Sequence, residues 1–380
     1  VAERHYLDHA STAPLRPAAR AAMVASLDAG WGDPGRLHQE GMTARVALED
    51  SREAVAAFFG ARNREVVFTS GATEAIAAAA FGTTGRGRHQ VVTAVEHSAV
   101  GASAGAHGEV TVVGVDGQGR VDPDAVLDAV TDHTGGVHVQ WGNHEVGTLQ
   151  PVAEVVRACR ARGVLVHVDA AAANGHFPID FGALGADLVS VSAHKFGGPV
   201  GIGALLVRRG VRLRPLLVGG DQERARRAGL ENGPAGAGFA AACSAADVDA
   251  EATHQRRLIE RVLAAVADGS LPGVVVHGDP LDRLPHLVCL GVPDVEPQAV
   301  LLGLDRAGVA VHSGSACATE ALEPSPVLAA MGVDALRSLR VSVGWSSTDA
   351  DVDALLGALP GVLAGLRRLA GTPGTHPGRH

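Results

Sequence analysis

Short apolar runs alternate with helix-forming stretches through the first two thirds of the chain, and this alternation limits the fold more than any other feature. The runs occupy residues 65–69, 90–94, 110–113, 136–141, 164–169, 188–192 and 203–207. Helical patterns at 44–59, 73–81, 123–129 and 151–162 lie between them. Strands that are apolar throughout are buried on both faces, and a repeat of strand and helix folds as a parallel sheet with crossover helices. From about residue 250 the pattern changes. A charged helix at 255–268 leads to the strand-like VVVHG and HLVCLGV, the helix QAVLLGLDRAG, then AVHSG, and a closing helix at 349–369. This second part reads as a smaller α+β unit.

The 380 residues exceed what one small core organises. A hydrophobic fraction of 46% with 19% charged residues fits a soluble globular protein. The net charge of −9 has no basic block, so direct nucleic-acid binding is not expected. VAERHYLDHAST lacks the apolar core of a signal peptide, and no window has the apolar length of a membrane span. Cys159, Cys243, Cys289 and Cys317 are widely spaced without a CxxC pair. That spacing argues against a metal site or a disulfide framework and for a reducing cytoplasm.

Several residues at strand ends carry candidate chemistry. Lys195 lies in SVSAHKFGGPVGIGA, among small residues and behind an apolar run. It is either a surface lysine in a Gly-rich loop or an amine aimed into a cleft, where desolvation would suit it to react with an aldehyde. Ser192 and His194 would complete a cup for a phosphorylated aldehyde. Ala72 and Thr73 stand in the turn TSGATEA, which either binds an anion at a helix N-terminus or only caps that helix. Asp169 ends the run VHVD; it is an N-cap or a carboxylate that keeps a ring nitrogen protonated. His97 in AVEHSAV is a packed histidine, a flat ring to stack on a cofactor, or a proton carrier. Cys317 in SGSACATEALEPS has none of the apolar neighbours of Cys289 and is either incidental or a thiol on a mobile loop. Arg340 in LRVSVGW suits a carboxylate, although Arg337 stands close by.

In order, YLDHASTAPLRP, NHEVGTLQP, VDAAAANGHFPID, SAHKFGGPVGIGAL, GGDQERARRAG and SGSACATEALEPS resemble the cysteine desulfurases of the class V aminotransferase family, over nearly the whole chain. The resemblance implies an α/β fold of the pyridoxal-phosphate-dependent, aminotransferase-like fold type I. A large cofactor domain would cover residues 16–250, with residues 1–15 and 251–380 forming a small domain that carries the cysteine loop. It further implies that Lys195 bonds covalently to pyridoxal 5′-phosphate, that Asp169 pairs with the ring nitrogen and that His97 stacks on the ring. Ala72, Thr73, Ser192 and His194 would surround the phosphate, and His144 would touch the cofactor. Arg340 and Asn143 would hold the substrate, L-cysteine. Cys317 would take its sulfur as a persulfide for an acceptor protein, leaving alanine, and the chain would form a homodimer.

The chain departs from the family pattern at three places. Ala172 replaces a glutamine, His144 an asparagine and Leu230 a phosphate-binding threonine. Two lost neutral hydrogen bonds would weaken cofactor binding by about 1 kcal/mol each. The competing expectations are a selenocysteine or C–S lyase that does not need Cys317, and a degenerate scaffold.

Overall fold

The computed structural model describes residues 4–29, 32–313 and 324–370. In chain order its strands are β1 (His5–Tyr6), β2 (Val66–Thr69), β3 (His89–Thr93), β4 (Glu109–Val113), β5 (Thr134–Gln140) and β6 (Leu165–Asp169). They continue with β7 (Leu188–Ser192), β8 (Gly203–Val207), β9 (Val275–His277), β10 (Leu287–Gly291), β11 (Val309–Ala310) and β12 (Ser338–Ser342). Strands β2 to β8 form one sheet of order β2-β8-β7-β6-β5-β3-β4. Only β8 runs against its neighbours, so the sheet is mostly parallel, as expected. All seven expected strands are present with ends within two residues. Every residue of β5, β6, β7 and β8 is buried, the physical reason these runs are rich in apolar residues.

The core of this sheet includes Val137, Val166, Val189 and Leu206, packed with Val55, Phe59 and Phe239 from helices. The helix Gly233–Ala245 packs on both Pro17–Asp28 and Gln39–Phe58. Gly238 permits that approach, because a Cβ there would fall 2.6 Å from Met23 Cγ.

A three-stranded antiparallel sheet, β12-β10-β9, organises the C-terminal part. The N-terminal segment joins it: β1 pairs parallel with β11, and Leu7 packs with Leu258, Leu290, Leu304 and Leu355. Residues 8–13 thereby run from this second core to the edge of the main sheet, where Ala13 N bonds His194 O.

One loop is held by charge. Glu223, Arg224 and Ala225 have φ of 48°, 58° and 59°, a left-handed run without glycine. Buried Glu223 anchors it, accepting from Arg52 Nη1 at 2.6 Å, Arg52 Nη2 at 2.8 Å and Phe68 N at 3.1 Å. Removing one partner of such a pair strands the other charge in the interior. Glu223→Ala should therefore cost about 3–5 kcal/mol in urea unfolding, far more than truncating the exposed Glu260.

Candidate active site

The parallel strands deliver their C-terminal ends to one edge of the sheet, where open α/β sheets bind ligands. A cavity of about 400 Å³ opens there. Ala72 and Thr73 reach it after β2, His97 after β3, His144 after β5, Asp169 and Ala172 from β6, and Ser192, His194 and Lys195 from β7. Every residue expected around the cofactor thus lines one space. A wider cleft of about 700 Å³ lies elsewhere, among Arg36, Arg45, Arg52 and Arg224. Its walls carry ion pairs, among them Arg224–Glu49 and the buried Arg52–Glu223, and none of the candidate residues borders it.

Lys195 follows β7 in a single 3-10 turn, Ala193–Lys195. Its Nζ donates to Ala10 O at 2.6 Å and Ser11 O at 3.1 Å. Gly197, at φ 94°, lets the chain turn away here; a Cβ would lie 2.6 Å from Arg16 Cγ. Burial, aided by the nearby Arg340 cation, lowers the amine pKa to about 8, against the opposing pull of Asp8 and Asp169. Lys195 is also the only lysine among the 380 residues, although Lys and Arg together number 32. That count is a signal that motif reading passes over: arginine cannot lose its proton to act as an amine.

Asp169 accepts from Ser190 Oγ at 2.7 Å and from Ala171 N at 3.1 Å. Burial raises its pKa while these two bonds oppose the rise. His97 caps the helix Ser98–His107, its Nδ1 accepting from Ala99 N at 3.1 Å. Burial, then His144 and Lys195, lowers its pKa to about 4, so the ring is neutral at physiological pH. His144 meets it edge-on at 5.1 Å between ring centres.

The β2 turn offers donors to an anion. Gly71 is the N-cap of the helix Ala72–Thr83 without a side-chain cap, and a Cβ there would meet nothing within 4 Å. Ser192 Oγ is buried without a partner. His194 Nδ1 lies 3.1 Å from Thr12 Oγ1, and burial followed by Lys195 lowers its pKa to about 4.

Arg340, on β12, bonds Asp8 Oδ1 at 3.0 Å, Ser11 Oγ at 2.7 Å and His144 O at 2.8 Å, while its buried Nε has no partner. Arg337 instead pairs with Asp334 on the surface, which separates the two arginines. Asn143 requires a correction. Its amide donates to Val95 O at 3.1 Å and accepts from Glu145 N and Val146 N at 2.8 Å each. The side chain is fully buried holding the β5 turn and does not line the cavity, so it does not face a substrate there.

Cys317 lies outside the described residues. Burial pushes the thiol of Cys159 up to about 11, that of Cys289 up to about 12, and that of Cys243 well above its usual value. These three stay protonated and inert. Ala172 presents only a methyl group to the cavity and Leu230 is exposed.

Three groups escaped the sequence reading. Asp8 and Ser11 fix Arg340, and both belong to the quoted run YLDHAST. Glu96, beside His97, is partly buried, with its Oε2 enclosed and unpartnered; its Oε1 accepts from Thr93 Oγ1 at 2.7 Å and from Gln140 N at 2.9 Å. Burial, reinforced by Asp169, pushes its pKa up to about 8, so it is a neutral acid at pH 7. A carboxylate inside an otherwise apolar run was the available hint.

Residues 5–355 match the family model for class-V aminotransferases. The chain belongs to this family. It is 36% identical to cysteine desulfurase IscS of Dictyoglomus turgidum, covering 96% of both chains. It is 41% identical to the IscS-like cysteine desulfurase of Mycobacterium tuberculosis, covering 96% of this chain and 98% of the relative. Among solved structures, a NifS-like protein superposes with TM-score 0.88 at 30% identity, over 96% of this chain and all of the other. The class-V aminotransferase fold is that of the fold type I enzymes, whose cofactor is pyridoxal 5′-phosphate. The residues present fit that cofactor. An orphaned buried hydroxyl (Ser192) and an uncapped helix N-terminus suit a phosphate, Lys195 an aldehyde, and Asp169 a ring nitrogen.

Proposed function

We propose that the protein is a cysteine desulfurase that converts L-cysteine to L-alanine and leaves the sulfur on Cys317 as a persulfide for an acceptor protein. The observation that carries the reading is the chain's one lysine, its amine buried and lowered to about 8, in the same cavity as Asp169 and the unpartnered Ser192 hydroxyl. Pyridoxal 5′-phosphate supplies an electron sink that stabilises negative charge developing at the substrate's Cα. Ser192, Thr73 and His194 hold its phosphate, Asp169 its ring nitrogen and His97 one face of its ring. Lys195 takes the proton from Cα, a role that its lowered pKa suits near neutral pH. Arg340 is buried and does not line the cavity; its role toward the substrate carboxylate rests on the family resemblance and on its unpartnered Nε, with Asp8 and Ser11 fixing the rest of the guanidinium.

The balance is simple: L-cysteine and the Cys317 thiol give L-alanine and the Cys317 persulfide. The inert state of Cys159, Cys243 and Cys289 supports assigning the sulfur to Cys317. Those three are free thiols, in keeping with a reducing cytoplasm, and no helix among the described residues is long and apolar enough to cross a membrane. A homodimer is supported by large apolar side chains left in water: Leu37 at 92%, Val218 at 79% and Val200, at the cavity wall, at 73% exposure.

The test measures sulfide and alanine from L-cysteine with a thiol reductant. The wild type should release both in equal amounts, and Cys317→Ser should lose both by at least about a hundredfold. Turnover that survives in Cys317→Ser would mean a lyase. A cofactor-loaded wild type without turnover would mean a scaffold.

A further inference from the structure

Behind the cavity, four strands carry a file of buried polar side chains that the mechanism above does not use. Gln90 on β3, His138 on β5, His167 on β6 and Ser190 on β7 are each fully buried. Gln90 Oε1 lies 2.6 Å from His138 Nε2, His138 Nδ1 lies 3.0 Å from His167 Nδ1, and His167 Nε2 lies 3.2 Å from Ser190 Oγ. Ser190 Oγ in turn donates to Asp169 Oδ1 at 2.7 Å. The file crosses the sheet and ends on the carboxyl group that faces the cavity.

Proton counting fixes its direction. Ser190 has one hydroxyl proton, and giving it to Asp169 leaves its oxygen to accept from His167 Nε2. A neutral His167 then has a bare Nδ1, which accepts from His138 Nδ1–H, and a neutral His138 has a bare Nε2 that needs a donor. The Gln90 amide supplies one when turned end for end, since its two ends are nearly the same shape. That orientation gives its amino group, otherwise buried without a partner, both His138 Nε2 and Thr83 Oγ1 to donate to. Burial keeps both imidazoles neutral, lowering His138 to about 4 and His167 well below its usual value. The reverse direction requires a protonated Asp169.

We propose that Gln90, His138, His167 and Ser190 form one hydrogen-bond chain whose donors all point toward Asp169, positioning it as a carboxylate for the cofactor's ring nitrogen. This rests on the reading of Asp169 given under the proposed function. The four are positioning residues: none touches substrate or cofactor, and their effect passes through Asp169.

The direct test is ¹⁵N-histidine NMR of the wild-type protein at pH 7, with signals assigned through His138→Asn and His167→Gln. The chain requires the Nδ1–H tautomer at His138 and the Nε2–H tautomer at His167; the opposite pair, or a charged ring at either site, overturns it. In kinetics, His167→Leu should lower kcat about tenfold with KM within about twofold, the loss of one bond relayed to a charged group. His167→Gln should recover most of that loss, because an amide can accept from His138 and donate to Ser190. Equal impairment of the two variants, or none in either, also overturns it. Full activity in Asp169→Ala would refute the cofactor role of Asp169 itself, with the wild-type tautomers still deciding the direction of the chain.

Discussion

Lys195→Ala lowers alanine formation by at least about 10⁴-fold, and Lys195→Arg does so equally. The arginine variant is the sharper of the two. It keeps the positive charge beside Asp8 and Asp169, and donors for the Ala10 and Ser11 carbonyls, yet it cannot lose a proton at any working pH. Everywhere else the sequence uses arginine for its basic residues, so charge alone cannot explain a single lysine at this position. The same uniqueness gives a measurement that does not depend on turnover. Borohydride reduction of the cofactor-loaded protein should fix the cofactor to one peptide, the one holding Lys195. Neither variant has another lysine side chain to take it. Label on any other peptide of the wild type, or more than about 1% of wild-type activity in Lys195→Arg, would end the assignment.

Most strands of the main sheet were legible because burial makes them short runs rich in apolar residues between turns; β4, largely exposed, showed itself by its valines alone. The helices were less so, for reasons that differ by helix. Gln39–Phe58 begins before its apolar face does, because His38 caps it through Nδ1, accepting from Gly41 N at 3.2 Å. Val248–Ala267 likewise begins at the Asp247 cap, well ahead of the charged stretch at 255–268. Gly233–Ala245 and Ser98–His107 are rich in alanine and glycine; the first packs small residues on several sides and the second buries only Val100 and Ala104, so neither shows a strong amphipathic stripe.

The site divides along similar lines. Lys195, Asp169 and His97 could be placed from sequence because a parallel sheet sends every strand end to one edge. Arg340 could not be told from Arg337 by spacing, since that choice depends on register: Arg340 pairs with Cys289 inside the sheet, whereas Arg337 precedes the strand. Asn143 was misplaced because a polar side chain in a tight turn serves the turn or the ligand with equal ease, and here three backbone partners claim it. Asp8 and Ser11 come from a segment more than 300 residues away from Arg340, a distance across which local pattern carries nothing.

The unfolding free energy should rise steeply between pH 4 and 6.5. His9, His97, His138, His176 and His194 are each lowered from 6.5 to about 4, with burial the first cause in every case. His167 and His286 are also lowered well below 6.5 by burial, and His286 lies stacked on His176 with ring centres 3.7 Å apart. Between pH 4 and 6.5 the unfolded chain binds protons that the folded rings refuse, so the unfolded state holds more protons and stability increases with pH. Each such ring contributes up to about 1.4 kcal/mol per pH unit across that window. Glu96 acts in the opposite sense. Its folded pKa of about 8, against 4.5 when free, means that the folded state keeps a proton the unfolded state releases, and stability declines by this one group from pH 4.5 to 8. Several histidines outweigh one glutamate below pH 6.5; above it the glutamate acts without them. Urea midpoints measured from pH 4.5 to 8.5 should therefore climb to a maximum near pH 6.5 and then fall gently. Glu96→Gln keeps an oxygen for Thr93 and Gln140 and should flatten the fall without changing the acid side. A midpoint that stays constant from pH 5 to 6.5 would mean that these imidazoles titrate as freely folded as unfolded, and the buried neutral histidines would have to be abandoned.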